Sequence, residues 1–116
     1  MLKKISLAGA LTLACSGVAP ARAETVRASW YGGGEKLARH TASGDVFRPR
    51  ALTAAHRTLP LGAHARVCRA HHCVIVLIND RGPAAWTGRG LDLSSGAADA
   101  IGLKAVGVAP VTIERL

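Results

Sequence analysis

The sequence predicts an all-β fold, a small barrel with one short helix. Segments of strand length follow one another and are separated by turns rich in glycine and proline, while only one segment has a helical pattern. Aromatic residues make up 3% of the chain. Small aliphatic side chains, mainly Val, Ile and Leu, are therefore expected to fill the centre of the barrel.

The first strand is predicted over residues 24–31, where apolar and polar residues alternate: Val26, Ala28 and Trp30 on one side, and Thr25, Arg27 and Ser29 on the other. Residues 32–49 contain four glycines and a proline, which indicates a long loop. This loop carries Asp45 and Phe47, and loops of this kind often carry function.

The middle of the chain predicts a short strand and a hairpin. Residues 51–53 form the short strand, and a Pro-Gly turn follows at 59–62. The hairpin arms are 65–68 and 73–78, joined by a turn at 69–72. Because residues 74–78 are continuously apolar, we expect the second arm to be buried on both faces.

The sequence Asn79-Asp80-Arg81-Gly82-Pro83 ends this strand, since proline lacks a backbone donor and glycine permits positive φ. Asp80 is thus expected at the mouth of a strand. A short apolar segment follows at 91–93, and Ser94 is the predicted N-cap of a helix that runs to about Ile101 and stops at Gly102. Residues 108–116 form the last strand, with Pro110 near its start.

Residues 1–23 are predicted to be a signal peptide that precedes a single domain at 24–116. Lys3 and Lys4 come before an apolar stretch at 5–18, and Ala21-Arg22-Ala23 has small residues at the cleavage positions. The stretch is shorter than the roughly 20 residues that span a bilayer, so we expect no transmembrane span and a periplasmic or secreted protein. The alternative is an outer-membrane lipoprotein anchored through Cys15, but Thr12 stands where such signals prefer a larger aliphatic residue.

The charge of the predicted mature chain suits an anionic partner. It has twelve Lys and Arg against seven Asp and Glu, a net charge of +5, which favours envelope polymers, whereas export argues against nucleic acid. A charged surface that serves only solubility is the alternative. We expect a monomer.

The two mature cysteines, Cys68 and Cys73, are expected to form a disulfide, because an even, closely spaced pair in an oxidising compartment is typical of one. A metal site is the alternative, since His71 and His72 lie between the cysteines. Adjacent histidines on a tight loop point in different directions, so we expect no metal.

Five segments together resemble a known family: Ala28-Ser29-Trp30-Tyr31-Gly32, Thr41-Ala42-Ser43-Gly44-Asp45-Val46-Phe47, Leu52-Thr53-Ala54-Ala55-His56 with Thr58-Leu59-Pro60, Asn79-Asp80-Arg81-Gly82-Pro83, and Leu91-Asp92-Leu93-Ser94. They are similar, in order, to the motifs of the rare lipoprotein A (RlpA) family. The resemblance covers nearly the whole mature chain.

The resemblance implies a six-stranded double-psi β-barrel with endolytic lytic transglycosylase activity on peptidoglycan glycan strands, without a cofactor. It also implies kinship with expansins and some cellulases. Two departures bear on activity. The family's loop acid is usually Glu, and Asp45 stands there; many members also carry a separate peptidoglycan-binding repeat domain, which is not expected in a chain with room for one domain.

Lytic cleavage needs one carboxyl group that protonates the glycosidic oxygen and then accepts a proton from the sugar's own C6 hydroxyl, which attacks C1. Asp80, at the end of an apolar strand, and Asp92, between Leu91 and Leu93, are the candidates. If the loop between them folds back, the two carboxylates become a pair with divided roles. The alternative for Asp80 is a structural role, in which it pairs with Arg81 and braces the loop. The alternative for Asp92 is a turn or helix-capping carboxylate beside Ser94.

Two further residues complete the catalytic candidates. His56 could orient a carboxylate or assist proton transfer, or be a satisfied, half-buried imidazole. Asp45 could serve the chemistry or be an exposed turn residue. The predicted substrate contacts are Trp30, Tyr31, Asn79, Arg81 and Trp86, of which Trp86, in a glycine-containing loop, is the aromatic residue that most favours ligand contact. The competing functions are a non-catalytic, expansin-like glycan-binding module and a hydrolase, which would need a water-activating base.

Overall fold

A computed structural model describes residues 23–33 and 39–116. The predicted signal peptide, apart from Ala23, lies outside the described residues, as does Cys15. Ala23 and Glu24 already belong to the first strand. No helix in the described segments is long and apolar enough to cross a membrane.

The described chain forms a closed six-stranded barrel in the order β1-β5-β2-β4-β3-β6. Its strands are β1 (Ala23–Tyr31), β2 (Thr53–Ala55), β3 (His64–Arg69), β4 (His72–Asp80), β5 (Leu91–Ser94) and β6 (Ala109–Arg115). The pairs β1/β5 and β2/β4 are parallel, and the other four are antiparallel. The predicted all-β barrel with one short helix is confirmed, and closure leaves the six described strands without an open sheet edge.

Aliphatic side chains fill the barrel, as the composition predicts. The largest fully buried ones are Val67, Val76, Ile78, Leu91, Leu93, Ile101 and Leu103. Each contributes about 1.5–3 kcal/mol through removal of its surface from water. Trp30 lies partly buried against this core.

The hairpin of β3 and β4 has a tighter turn than predicted. Arg69 and His72 are paired strand residues, so the turn consists of Ala70 and His71, with Ala70 at φ 54°. Cys68 and Cys73 stand directly opposite each other with Cα atoms 4.0 Å apart and form the predicted disulfide. That bond removes the thiolates on which the metal alternative depended.

Two details of the strand prediction are wrong. The short strand is Thr53–Ala55 and not 51–53, because Ala51 N donates to Arg48 O in a turn (3.0 Å) and pairing to the neighbouring strands starts at Thr53. Burial of 74–78 on both faces is also wrong. Val76 and Ile78 point into the barrel, but Ile75, on the outer face, is 41% exposed because no described element covers it.

The helix α1 (Ser95–Ala100) begins as predicted. Ser94 Oγ accepts from Ala97 N (3.2 Å) and donates to Ala51 O (2.6 Å). Gly96 lies against the backbone of Arg50, where an added Cβ would be 2.4 Å from the carbonyl oxygen. Gly102, with φ 71°, follows the helix as expected.

Candidate active site

Strand register brings Asp80 and Asp92 to one face of the barrel. Ala55, the last residue of β2, pairs with Asp80 of β4 on one side and with Asp92 of β5 on the other. Residues directly opposite each other on neighbouring strands share a face. With two strand spacings between them, the Cα atoms of the two aspartates lie roughly 10 Å apart.

Asp80 reaches this face through a register shift in β4. Ala54 pairs with Ile78, but Ala55 pairs with Asp80, so Asn79 is an extra residue in the ladder. Because side chains alternate along a strand, regular pairing would have placed Asp80 on the same side as Ile78, toward the core. The extra residue turns Asp80 outward instead, as bulges next to functional sites often do.

The two aspartates line a common open cavity of about 240 Å³, called here the carboxylate cavity. The residues that line it are Tyr31, His40, Thr41, Phe47, Ala55, Asp80, Arg81 and Asp92. The cavity therefore lies between β1, β2, β4, β5 and the loop that follows β1.

Asp80 has one oxygen fixed by the backbone. Its Oδ1 accepts hydrogen bonds from Ala42 N (3.0 Å) and from Arg81 N (2.9 Å). Its Oδ2 makes no hydrogen bond to the described part of the chain, and so remains available to a ligand in the cavity. The hydrogen bond from Ala42 N to Asp80, together with one from Ser43 N to Asn79 O (3.1 Å), holds the loop after β1 over the barrel.

Asp92 lies within a charged network on β1 and β5. Its Oδ1 accepts from the hydroxyl of Ser29, which pairs with Asp92 in the β1/β5 ladder. Arg89 bonds to the same hydroxyl and lies 3.7 Å from Asp92 Oδ1. The guanidinium therefore compensates the charge of Asp92, whose side chain is only 22% exposed.

Tyr31 lies beside both carboxylates. Burial, followed by the charges of Asp80 and Asp92, raises the pKa of Tyr31 above its ordinary value, and the hydroxyl of Thr53 acts in the opposite direction. The phenol thus stays protonated at neutral pH. Its ring packs on Phe47 at a centroid distance of 5.0 Å, which joins the loop after β1 to the barrel.

His56 and Arg81 hold the turn that follows β2. His56 Nδ1 accepts from Thr58 N (3.1 Å) and Leu59 N (3.0 Å), while Arg81 donates to the carbonyls of His56 (3.2 Å) and Leu59 (2.5 Å). Burial lowers the pKa of His56, with Arg57 and Arg81 acting in the same direction and Glu24 against it. His56 does not line the carboxylate cavity, whereas Arg81 does.

Asp45 and Asn79 lie outside the carboxylate cavity. They line a second cavity of about 250 Å³ together with Val46, Arg48, Ala51, Thr53 and Leu77. Asp45 accepts from the hydroxyl of Ser43 (2.9 Å). Asp45 thus lies on the same loop that Ala42 N ties to Asp80, but it lines the second cavity and not the carboxylate cavity.

The two tryptophans lie in different environments. Trp30 packs against the core and Gly33, and Lys104 Nζ is 5.0 Å from its ring centroid. Trp86 is 88% exposed on the 3-10 turn Ala85–Thr87. Arg57 braces the ends of that loop through the carbonyls of Pro83 and Arg89, both at 2.8 Å. Of the two, only Trp86 offers its ring to a ligand from solution.

Comparison with known proteins identifies the barrel. Residues 23–113 match the family model described as "Lytic transglycolase". The chain belongs to this family. It is 52% identical over 92 residues to the "Probable endolytic peptidoglycan transglycosylase RlpA" of Nostoc sp., covering 77% of this chain and 24% of the relative. It is 45% identical over 97 residues to the "Endolytic peptidoglycan transglycosylase RlpA" of Rickettsia bellii, covering 80% of this chain and 42% of the relative.

The fold comparison agrees with the sequence comparison. The expansin of Clavibacter michiganensis superposes with a TM-score of 0.65 at 19% identity, over 82% of this chain and 50% of the expansin. The resemblance to the RlpA family and the double-psi β-barrel fold are thus confirmed. The chain spans less than half the length of either RlpA relative.

The sequence predictions did not include Ser29 and Arg89, which contact Asp92, or Arg48, which lines the second cavity. Ser29 had a readable signal, because Ala28-Ser29-Trp30 and Leu91-Asp92-Leu93 are both apolar-polar-apolar triplets that pair in parallel and place Ser29 beside Asp92. Arg89 and Arg48 are two of many arginines in this sequence, and nothing in composition or spacing distinguishes them.

Proposed function

We propose that this domain is an endolytic lytic transglycosylase that cleaves peptidoglycan glycan strands outside the cytoplasm, as a monomer. The observation that carries the proposal is the shared face of Asp80 and Asp92, two carboxylates in one open cavity. Membership of the family, and relatives named as endolytic peptidoglycan transglycosylases, supports the reaction class.

The two carboxylates have different surroundings, which supports different roles. Asp92 has Arg89 at 3.7 Å and the Ser29 hydroxyl on the same oxygen, so it is suited to remain charged and to stabilise positive charge that develops on the sugar ring. Asp80 has a free Oδ2 that can carry the catalytic proton. We assign Asp80 as the general acid and base, and Asp92 as the electrostatic stabiliser.

The reaction proceeds in two proton transfers at Asp80 and consumes no water. The protonated carboxyl group gives its proton to the glycosidic oxygen, and the bond from C1 to that oxygen breaks. The C6 hydroxyl of the same sugar attacks C1, and its proton passes to the Asp80 carboxylate. The new C6–O–C1 bond closes a 1,6-anhydro ring, and Asp80 regains its initial state.

The remaining predicted residues have supporting roles in this proposal. Tyr31 lines the cavity beside both carboxylates with its hydroxyl buried, which favours a role in the wall of the site over direct donation to the sugar. Trp86 is a stacking surface at the edge of the site, and Arg81 and Asn79 fix the geometry around Asp80. The contacts of His56 favour an indirect contribution through the turn that Arg81 also holds, and those of Trp30 favour packing over substrate contact.

Mass analysis of the products of purified, peptide-free glycan strands tests the proposed reaction. A lytic transglycosylase leaves 1,6-anhydro-muramyl ends. New reducing ends would show a hydrolase of the same barrel, and water would then have to be activated by a base. Binding to strands without new ends would show a non-catalytic module.

A further inference from the structure

The second cavity adjoins the carboxylate cavity along β4. Asn79 lines the second cavity and the next residue, Asp80, lines the first. The loop after β1 passes between them, tied down by Ser43 N on Asn79 O and by Ala42 N on Asp80 Oδ1. Consecutive residues of β4 therefore line the two cavities, as adjacent subsites for one polymer would require.

The second cavity combines both signs of charge with an apolar wall. Asp45 supplies a carboxylate, and Arg48 supplies a guanidinium that makes no ion pair or side-chain hydrogen bond with residues 23–33 or 39–116. Arg50, two residues on, is instead paired with Asp99 at 2.7 Å. Val46, which is 42% exposed, and the half-buried Leu77 form part of the apolar wall.

This combination selects among possible ligand groups. An anionic ligand group would be repelled by the carboxylate of Asp45, and a cationic group would be repelled by the guanidinium of Arg48. A sugar with hydroxyl groups alone would leave the apolar wall unused. An acetamido group satisfies all three elements, because its N–H donates to Asp45, its carbonyl accepts from Arg48, and its methyl group packs on Val46 and Leu77.

We infer that the second cavity is a subsite for the 2-acetamido group of the sugar next to the cleaved one. Arg48 and Asp45 are its specificity-determining residues. The inference rests on the proposed function for the identity of the polymer. It gives Asp45 a role in binding the substrate, apart from proton transfer at Asp80.

The test compares peptide-free glycan strands before de-N-acetylation, after it, and after chemical re-N-acetylation. Because attack by the C6 hydroxyl does not use the acetamido group, a preference in kcat/KM reports recognition. We expect wild type to prefer N-acetylated strands by about tenfold, the range for one hydrogen bond to a charged group. Re-N-acetylation should restore cleavage.

Arg48→Gln should lose this preference, because it removes both the donor to the acetamido carbonyl and the repulsion of the ammonium group on a de-N-acetylated sugar. The matched control is Arg50→Gln, which removes the same charge from the same segment outside the cavity and should keep the wild-type ratio. Thermal melts establish that both variants fold. A wild type without preference, or an Arg48→Gln variant with the wild-type ratio, would overturn the inference while leaving the proposed function intact.

If no strand is cut, the proposed function fails and binding decides the inference separately. Calorimetric titration with tri-N-acetylchitotriose and with chitotriose then serves as the readout. Tighter binding of the N-acetylated trisaccharide that Arg48→Gln abolishes supports the subsite. Equal affinities, or no binding of either, contradict it.

Discussion

Asp80 shows how one extra residue in a strand determines the face of the sheet on which a functional side chain lies. The sequence places Asp80 at the end of a strand, because Arg81-Gly82-Pro83 cannot continue the ladder. The face on which Asp80 lies depends on the register shift at Asn79. That shift arises where Asp80 pairs with Ala55, which lies 25 positions earlier in the sequence. Local pattern contains no information about such a shift, so the shared face with Asp92 was a hypothesis until the register was known.

His56 gives a prediction about pH at the same scale. Because burial lowers its pKa in the folded state, the unfolded chain binds the proton more readily. The stabilisation that comes from keeping His56 neutral should be fully present above about pH 6.5, the ordinary pKa of His. The free energy of unfolding should decrease as the pH falls below that value toward the folded-state pKa. His56→Asn, which can keep an acceptor near the position of Nδ1, should flatten this dependence.

The measurement is urea unfolding from pH 7.5 to 5, with His72→Gln on the exposed hairpin end as the control for loss of an imidazole. The stability of the control should follow that of wild type. An equal decrease for His56→Asn and wild type would mean that His56 is not the group responsible.

Gly96 gives a second prediction. An added Cβ would lie 2.4 Å from the carbonyl oxygen of Arg50, and backbone cannot move aside as a flexible side chain can. Gly96→Ala should therefore lower the free energy of unfolding by about 1–3 kcal/mol, although Ala is the better helix former. Ala100→Ser, at an exposed position of the same helix, should change it by less than about 0.5 kcal/mol. A Gly96→Ala protein as stable as wild type would contradict the close packing of α1 on residues 49–51.

At the scale of elements, the long strands were predictable and the short one was not. β1, β4 and β6 have strand patterns over seven to nine residues and were located to within one or two residues at each end. β2 has three residues, all small or polar, and is a strand only because β4 and β5 pair with it on both sides. Its position was therefore missed by two residues.

The hairpin gives a prediction about the disulfide. Cys68 and Cys73 close a loop with a sequence separation of 5, for which chain entropy gives about 2 kcal/mol of stabilisation. The double variant Cys68→Ser, Cys73→Ser should fold and lose about that amount in chemical unfolding. A reducing agent should destabilise wild type similarly and leave the double variant unchanged. Two free thiols in denatured, unreduced protein would contradict the bond.

At the scale of the whole molecule, closure of the barrel assembles the site. The residues of the carboxylate cavity come from β1, β2, β4, β5 and the loop after β1, so separate segments of the chain meet only when the strands are in the order of the closed barrel. The sequence indicated a barrel, and the family motifs indicated which one. The second cavity, and the position of Asp45 in it and not in the carboxylate cavity, follow from the path of the loop, which no sequence pattern predicts.

Export of the protein is a prediction at this scale too. The intact mass of the exported form should correspond to residues 24–116, because Ala21-Arg22-Ala23 is a cleavage motif. A diacylglyceryl mass on Cys15 would instead establish the lipoprotein alternative.

The central claim is that Asp80 and Asp92 act together on a glycan strand, and their amide variants test it most directly. Release of anhydro-muropeptides or anhydro-glycan fragments is measured for wild type, Asp80→Asn and Asp92→Asn, with thermal melts to verify folding. Asn keeps the size of the side chain but removes proton transfer at position 80 and the charge at position 92. We expect turnover to fall by about 100- to 10,000-fold in each folded variant. Variants that melt like wild type and cut strands at near-normal rates would contradict the account.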